Sequence, residues 1–162
     1  TKLGDYRHDL RTGRHIITVN NDLNPYSFLI TFVHEVAHLV TFEEHGRKVM
    51  PHGKEWKINF QKLMFPVLND QVFPPSILRT LASYLKNPKA SSCNDHRLMQ
   101  ALNQFDEEPN LLLGDLEEGE IFLFGKRKFK KEKLRRTRFV CQDLTNGRRY
   151  LISKIAAVEK VA

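Results

Sequence analysis

The stretch TFVHEVAHLVTFEEHGRKVMPHGKEWK, residues 31–57, carries four histidines and one break in a helical pattern. Just upstream, Asn24 suits the N-cap of a helix and Pro25 suits the first helical position. Gly46 can supply the left-handed residue that ends such a helix. The stretch therefore predicts a helix from Pro25 to about His45, a short turn, and a second helix that packs on the first.

Two of the histidines and a glutamate form the pattern H-E-x-x-H at residues 34–38. On a helix, residues i and i+4 share one face about 6 Å apart, so the imidazoles of His34 and His38 can reach one metal ion. Glu35 is displaced round the helix, so that its carboxylate misses the ion but reaches a water beside it. The pattern predicts a metal site on the first helix.

A catalytic zinc ion usually takes three protein ligands and keeps one position open, so His45 and His52 compete for the third place. His45 is on nearly the same helical face as His34. At a rise of 1.5 Å per residue, however, it stands roughly 10 Å along the axis from His38. His52 follows the glycine break, so its segment can fold back over the helix. Helix geometry favours His52, and His45 is predicted to interact with the helix dipole.

The first helix is also predicted to have a polar stripe and an opposite apolar face. The stripe consists of Ser27, Thr31, His34, His38 and His45. The apolar face consists of Phe28, Phe32 and Val36, which we expect to pack in the core. Because burying a polar stripe is costly without a partner, the stripe favours a bound metal ion.

The composition of the 162 residues, 41% hydrophobic and 28% charged, is typical of a soluble globular protein. No apolar run reaches the roughly 18 residues that a membrane-spanning helix needs, so we predict no membrane partner. Two cysteines, Cys93 and Cys141, and the lack of a secretory signal favour a reducing compartment, the cytoplasm. The chain does not begin with Met, so the existence of a preceding segment stays open.

The pattern along the chain predicts an α+β fold with a helical core, an N-terminal β-hairpin over residues 3–20 and a small C-terminal antiparallel β segment. The predicted domain boundaries are residues 1–105 for the helical domain, 106–118 for a linker and 119–162 for a small basic β appendage. The appendage contains three β-favouring segments, GEIFLFGKRKF, RRTRFVCQDL and GRRYLIS.

The run KRKFKKEKLRRTR, residues 126–138, carries nine basic residues and one Glu, within a chain of net charge +7. Such a concentration predicts a polyanionic partner such as DNA. The candidate phosphate-binding residues are Lys126, Arg127, Lys128, Lys130, Lys131, Lys133, Arg135, Arg136 and Arg138. The other interpretation is a solvated hairpin whose charges keep an edge strand from aggregating. Both interpretations stay open on the sequence.

The segments HEVAH and HGKEW, residues 34–38 and 52–56, resemble the SprT-like metallopeptidases, including Spartan. In that family H-E-x-x-H is followed by a third histidine in the context H-G-x-x-[FW]. The segments LGDYR, ITVN and LNPYSFLITFVHEVAHL extend the resemblance over about the first 65 residues.

The resemblance implies a zincin-like helical core and hydrolysis of peptide bonds in a protein substrate. It implies one zinc ion bound by His34, His38 and His52, with Glu35 as the catalytic base. Spartan-like relatives act on proteins at DNA, which fits a DNA-binding role for the basic run.

The C-terminal part departs from the family pattern. Many bacterial relatives carry a zinc ribbon with two cysteine pairs there, whereas this chain has the basic β segment and a single Cys141. We therefore predict one metal ion only, and Cys141 and Cys93 as buried or free thiols. A competing hypothesis is a nucleic-acid-binding module whose zinc site is structural or vestigial.

Two further features of a peptidase site are left open. An oxyanion donor is expected, and Tyr6, Arg7 and Arg47 are the candidates. The segment from Ile16 to Val19 either offers an edge to which an extended substrate adds as a strand, or is a plain structural strand.

Overall fold

The computed structural model describes residues 2–89 and 95–161, which form two compact units, residues 1–107 and 108–162. Cys93 lies outside the described residues. The units contain α-helices and antiparallel β-sheets, which confirms the predicted mixture of helical and β structure. Among the described residues, no helix is long and apolar enough to cross a bilayer.

Helix α1 begins and ends at the predicted residues, Pro25 and His45. The side chain of Asn24 caps its first turn by accepting hydrogen bonds from the N–H groups of Tyr26 and Ser27, at 3.1 and 2.9 Å. At the other end, Gly46 has a φ of 60° and donates its N–H to the Phe42 carbonyl at 2.7 Å. The local capping signals therefore set both ends of the helix.

Strands β1 (Gly4–His8) and β2 (His15–Val19) form the predicted hairpin, with Gly4 opposite Val19 and His8 opposite His15. Alternate residues of β1 face helix α1, since Tyr6 and His8 both contact Phe42. Gly4 comes closest to the helix, because an added Cβ would lie 2.7 Å from Thr31 Cγ2. Only glycine allows β1 to approach α1 this closely.

The rest of the first unit is helical and supplies its core. Helices α2 (Lys54–Met64), α3 (Pro75–Leu85) and α4 (His96–Asn103) follow α1, with a 3-10 turn at Phe65–Val67. The largest fully buried apolar side chains of this core are Ile30, Trp56, Phe60, Met64, Phe73, Ile77, Leu81 and Leu98.

The predicted core face of α1 is wrong. Phe28 and Phe32 are each 43% exposed, whereas the residues buried in the core are Ile30, Val33 and Ala37. The helix is apolar around most of its circumference, and the hairpin and α2 both pack on it, so two faces are covered at once. The hairpin covers the side that carries Thr31, which leaves the two phenylalanines on a third, partly exposed side.

The second unit is a five-stranded antiparallel sheet of order β6-β5-β4-β3-β7. Its strands are β3 (Ile121–Phe124), β4 (Arg127–Arg135), β5 (Arg138–Asp143), β6 (Arg149–Ser153) and β7 (Glu159–Lys160). The predicted segment GEIFLFGKRKF bends at Gly125, and most of the basic run forms β4, between β3 and β5. Leu113 and Leu116 lie within the predicted linker, yet both belong to the core of this unit.

Candidate metal centre

The structure brings together three of the four histidines of residues 31–57. His52 Nε2 lies 3.1 Å from His34 Nε2 and 2.9 Å from His38 Nε2. A tetrahedral zinc ion with Zn–N bonds of 2.0–2.1 Å separates its ligand nitrogens by about 3.3 Å. The three imidazoles therefore have the donor type and the spacing of a zinc site. These three residues could hold one ion.

Trp56, which is fully buried, supports all three imidazoles. Its ring centroid lies 4.6 Å from that of His34, 5.4 Å from His38 and 4.8 Å from His52. The indole in turn stacks on Phe60 at 5.1 Å. Helix α2 thus supplies the aromatic surface against which the three candidate ligands pack. Through its contact with His52, Trp56 also fixes the turn that precedes this helix.

His52 occupies a tight turn that places its ring over α1. The Gly53 N–H donates to the Met50 carbonyl at 2.9 Å, and Pro51 and His52 fill the two central positions. His52 has a φ of 59°, in the left-handed region, which costs a residue with a side chain roughly 1–2 kcal/mol. Gly53 is also constrained, since an added Cβ would lie 2.8 Å from the Met50 carbonyl oxygen. Backbone strain is therefore located at a candidate ligand.

Burial keeps the three imidazoles neutral, which is the form that binds metal. Burial and the neighbouring His38 and His52 lower the pKa of His34 to about 3. Burial and His52 lower the pKa of His38 to about 4. Burial also lowers the pKa of His52. Each neutral imidazole keeps one nitrogen with a lone pair, and the Nε2 atoms of His34 and His38 both face that of His52, so an ion between them could take all three rings as ligands.

Glu35 lies beside the three histidines, on the side of the hairpin. It is only 7% exposed, and its carboxylate accepts a hydrogen bond from the Tyr6 backbone N–H. Burial, with a smaller effect from Asp5, raises the pKa of Glu35 to about 7. A carboxylate so placed can accept a proton near neutral pH.

The remaining predicted residues lie in different places. His45, at the end of α1, has its Nε2 3.6 Å from Glu44 Oε2 and is not part of the histidine group. Tyr6, Arg7 and Arg47 all line the cleft of about 700 Å³ that contains the histidines and Glu35. The cleft is lined by residues 2–8 of β1 and its approach, and not by the segment from Ile16 to Val19.

Two groups of polar residues near the site were not predicted. Tyr6, His15 and Glu43 form a hydrogen-bonded chain from the cleft to α1. Asn59 donates to Thr41 Oγ1 at 3.1 Å and to Glu44 Oε2 at 2.7 Å, joining α2 to α1. Both groups combine residues from separate elements, so no sequence spacing signals them.

The basic run does not form a uniform cationic surface. Lys131 is only 3% exposed, donates to the Leu116 carbonyl and lies 3.8 Å from the centre of the Phe139 ring. It is therefore a core residue rather than the predicted phosphate contact. Arg127 pairs with the buried carboxylate of Asp143. The seven others are exposed: Lys126, Lys128, Lys130, Lys133, Arg135, Arg136 and Arg138.

Comparison with known proteins connects this site to a family. Residues 3–76 match the sequence model of the SprT-like family. Protein SprT of Vibrio parahaemolyticus serotype O3:K6 (strain RIMD 2210633) is 57% identical over 35 residues, which are 21% of this chain and 21% of that protein. The chain thus matches about a fifth of the length of this curated relative. No solved structure matches the chain.

The metal content of purified variants tests the candidate ligands. We expect one zinc ion per wild-type chain, one in His45→Ala and none in His52→Ala after dialysis, because only His52 lies among the other two imidazoles. Elemental analysis by mass spectrometry measures the ratio. Zinc retained by His52→Ala and lost from His45→Ala would refute this choice of ligand.

The strained turn gives a second test, in the metal-free protein. His52→Gly and His52→Ala remove the same imidazole, but only glycine adopts a positive φ without strain. We expect His52→Gly to be more stable than His52→Ala by about 1 kcal/mol in urea unfolding with a chelator present. The opposite order, which holds within regular helices, would show that the turn is not left-handed.

Proposed function

We propose that this chain is a zinc-dependent metallopeptidase that hydrolyses peptide bonds in protein substrates, because residues 3–76 match the SprT-like family model. The observation that carries the proposal is the group of His34, His38 and His52 in one cleft with Glu35 beside it. A purely structural zinc site has no need of a carboxylate at that place. The two cysteines of the chain support a cytoplasmic location.

The proposed mechanism assigns one role to each group. A Zn²⁺ ion held by the three histidines would supply Lewis acidity, polarising the scissile carbonyl and acidifying a water molecule. Glu35 accepts the proton of the attacking water and then delivers it to the leaving amine. The Tyr6 N–H holds the Glu35 carboxylate in place for both transfers. Gly4 permits this arrangement, because an added Cβ would lie 3.0 Å from Glu35 Oε1.

The cleft also suggests how a substrate lies. Strand β1 pairs with β2 on one side only, and residues 2–8 line the cleft. We therefore assign the substrate-binding edge to β1 instead of the segment from Ile16 to Val19, with an extended peptide added as a strand. The hydroxyl of Tyr6 is engaged with His15, which leaves Arg7 and Arg47 as the candidate oxyanion donors.

The substitution Glu35→Gln tests the peptidase proposal. We expect it to keep one zinc ion and to lower the rate of casein cleavage by a factor of at least about 100, because the amide cannot accept the proton. Glu107→Gln, the same change at an exposed residue of the first unit outside the cleft, is expected to leave cleavage intact. Undiminished cleavage by zinc-loaded Glu35→Gln would refute the role of Glu35.

A second candidate function is nucleic-acid binding by the turn between β4 and β5. Arg135 pairs directly opposite Arg138, and Arg136 has a φ of 55° in the turn. Like charges placed opposite each other destabilise a sheet, so this cluster is costly for folding. A polyanion would relieve that repulsion and would recruit the peptidase to proteins on DNA. The same cluster would serve a binding module whose metal site is structural or vestigial.

Charge removal at the turn tests this second function. We expect the triple variant Arg135→Gln, Arg136→Gln, Arg138→Gln to bind a single-stranded oligonucleotide at least tenfold more weakly. The slope of log affinity against log salt should fall by about 2, since three phosphate contacts are lost. The control removes three exposed charges of the first unit, at Lys62, Arg79 and Lys89, and is expected to change binding much less. Equal losses in both variants would show that binding follows net charge alone.

A further inference from the structure

A chain of three polar side chains leads out of the cleft, and the proposed mechanism does not use it. Tyr6 Oη lies 2.8 Å from His15 Nδ1, and His15 Nε2 lies 2.9 Å from Glu43 Oε1. The members come from β1, β2 and α1, so the chain ties the hairpin to the helix. The His15 ring packs against the rings of His8 and Phe42, with centroids at 4.7 and 5.6 Å.

The donors and acceptors of this chain point in one direction. The carboxylate of Glu43 accepts a hydrogen bond from His15 Nε2, so in the tautomer of His15 with a single N–H the proton is on Nε2. Nδ1 then carries a lone pair and accepts the O–H of Tyr6. With its proton engaged, the Tyr6 oxygen is left as an acceptor. The ring of Tyr6 lies parallel to that of His38 within 5°, with centroids 6.2 Å apart, so the position of this oxygen is fixed relative to a candidate metal ligand.

We propose that Tyr6 positions the substrate through its hydroxyl oxygen, which accepts a hydrogen bond from a backbone N–H of a peptide in the cleft. His15 and Glu43 are positioning residues that hold the oxygen as an acceptor. A peptide N–H that leaves water needs a new acceptor, and Tyr6 lines the cleft where one is required. The inference rests on the proposed function in taking a peptide as the ligand of the cleft.

Peptide hydroxamates test this role without turnover. The probe is Pro-Leu-Gly-hydroxamate, with two ester analogues that each lack one backbone N–H, bound to the zinc-loaded full chain. We expect one ester to bind wild type about tenfold more weakly than the amide. In Tyr6→Phe, the affinity for the amide should fall to that for the ester, so that the variant no longer discriminates between the amide and the ester. Tyr26→Phe, a tyrosine that does not line the cleft, should keep the discrimination.

The proposal is overturned if the discrimination persists in Tyr6→Phe, if wild type shows none with either ester, or if zinc-loaded wild type binds no hydroxamate. Casein cleavage is measured separately on the same preparations. Intact ester discrimination without any cleavage refutes the peptidase function and leaves the role of Tyr6. Cleavage without discrimination refutes the role of Tyr6 alone.

The roles of His15 and Glu43 are tested separately, with the same probes. We expect His15→Ala and Glu43→Gln each to reduce the ratio of amide to ester affinity to about threefold. Combined with Tyr6→Phe, neither should change that ratio further. His15→Asn, whose side-chain oxygen can accept the Tyr6 O–H, should retain more of the discrimination than His15→Ala. If His15→Ala weakens amide and esters equally, its role is structural and this part of the proposal fails.

Discussion

The first unit depends on the packing of helix α1 against two elements at once. The hairpin covers the face of Thr31, Glu35 and His38, while α2 covers the face of Val33 and Ala37. The candidate ligands lie at the boundary of these faces: His34 contacts Trp56 of α2 at 4.6 Å, and His38 stacks with Tyr6 of β1 at 6.2 Å. The candidate metal centre is therefore located where three elements meet, and its geometry is a consequence of how they pack.

This arrangement concentrates unfavourable terms that an ion would relieve. Three largely buried imidazoles bring their Nε2 atoms close together, at 2.9 and 3.1 Å from that of His52, and His52 stands on a strained backbone. Without a metal ion, neither the close approach of these buried polar rings nor the strained backbone of His52 stabilises the folded chain. Because an ion that binds only the folded state stabilises it by mass action, binding of an ion here would be coupled to the folding of this unit. The rigid supports, Trp56 and the bonds of Asn59 to α1, limit how far the turn can relax when the ion is absent.

Local signals made the extent of α1 predictable, and tertiary packing explains most of what the sequence did not reveal. Asn24 and Gly46 mark the ends of α1 because caps act through neighbouring residues. The exclusion of His45 follows from helical rise alone, and the structure brings His52 to the other two histidines. The buried face of α1 could not be read from periodicity, since apolar residues surround the helix and only its neighbours decide which are covered. Glu43 and His15 could not be linked to Tyr6, because three separate elements must first assemble.

The second unit is held together by the apolar core of its antiparallel sheet. Among the described residues, that core includes Phe122, Phe129 and Ile152. Cys141 belongs to that core, where burial raises the pKa of its thiol to about 11. The alternation of β4 between Lys128 and Lys131 then explains Lys131: two residues after the inward-facing Phe129, it also points inward. The alternation ends where the register shifts between Lys131 and Leu134, so the rest of β4 and its turn keep their basic side chains exposed. A strand rich in lysine and arginine is therefore only partly a charged surface.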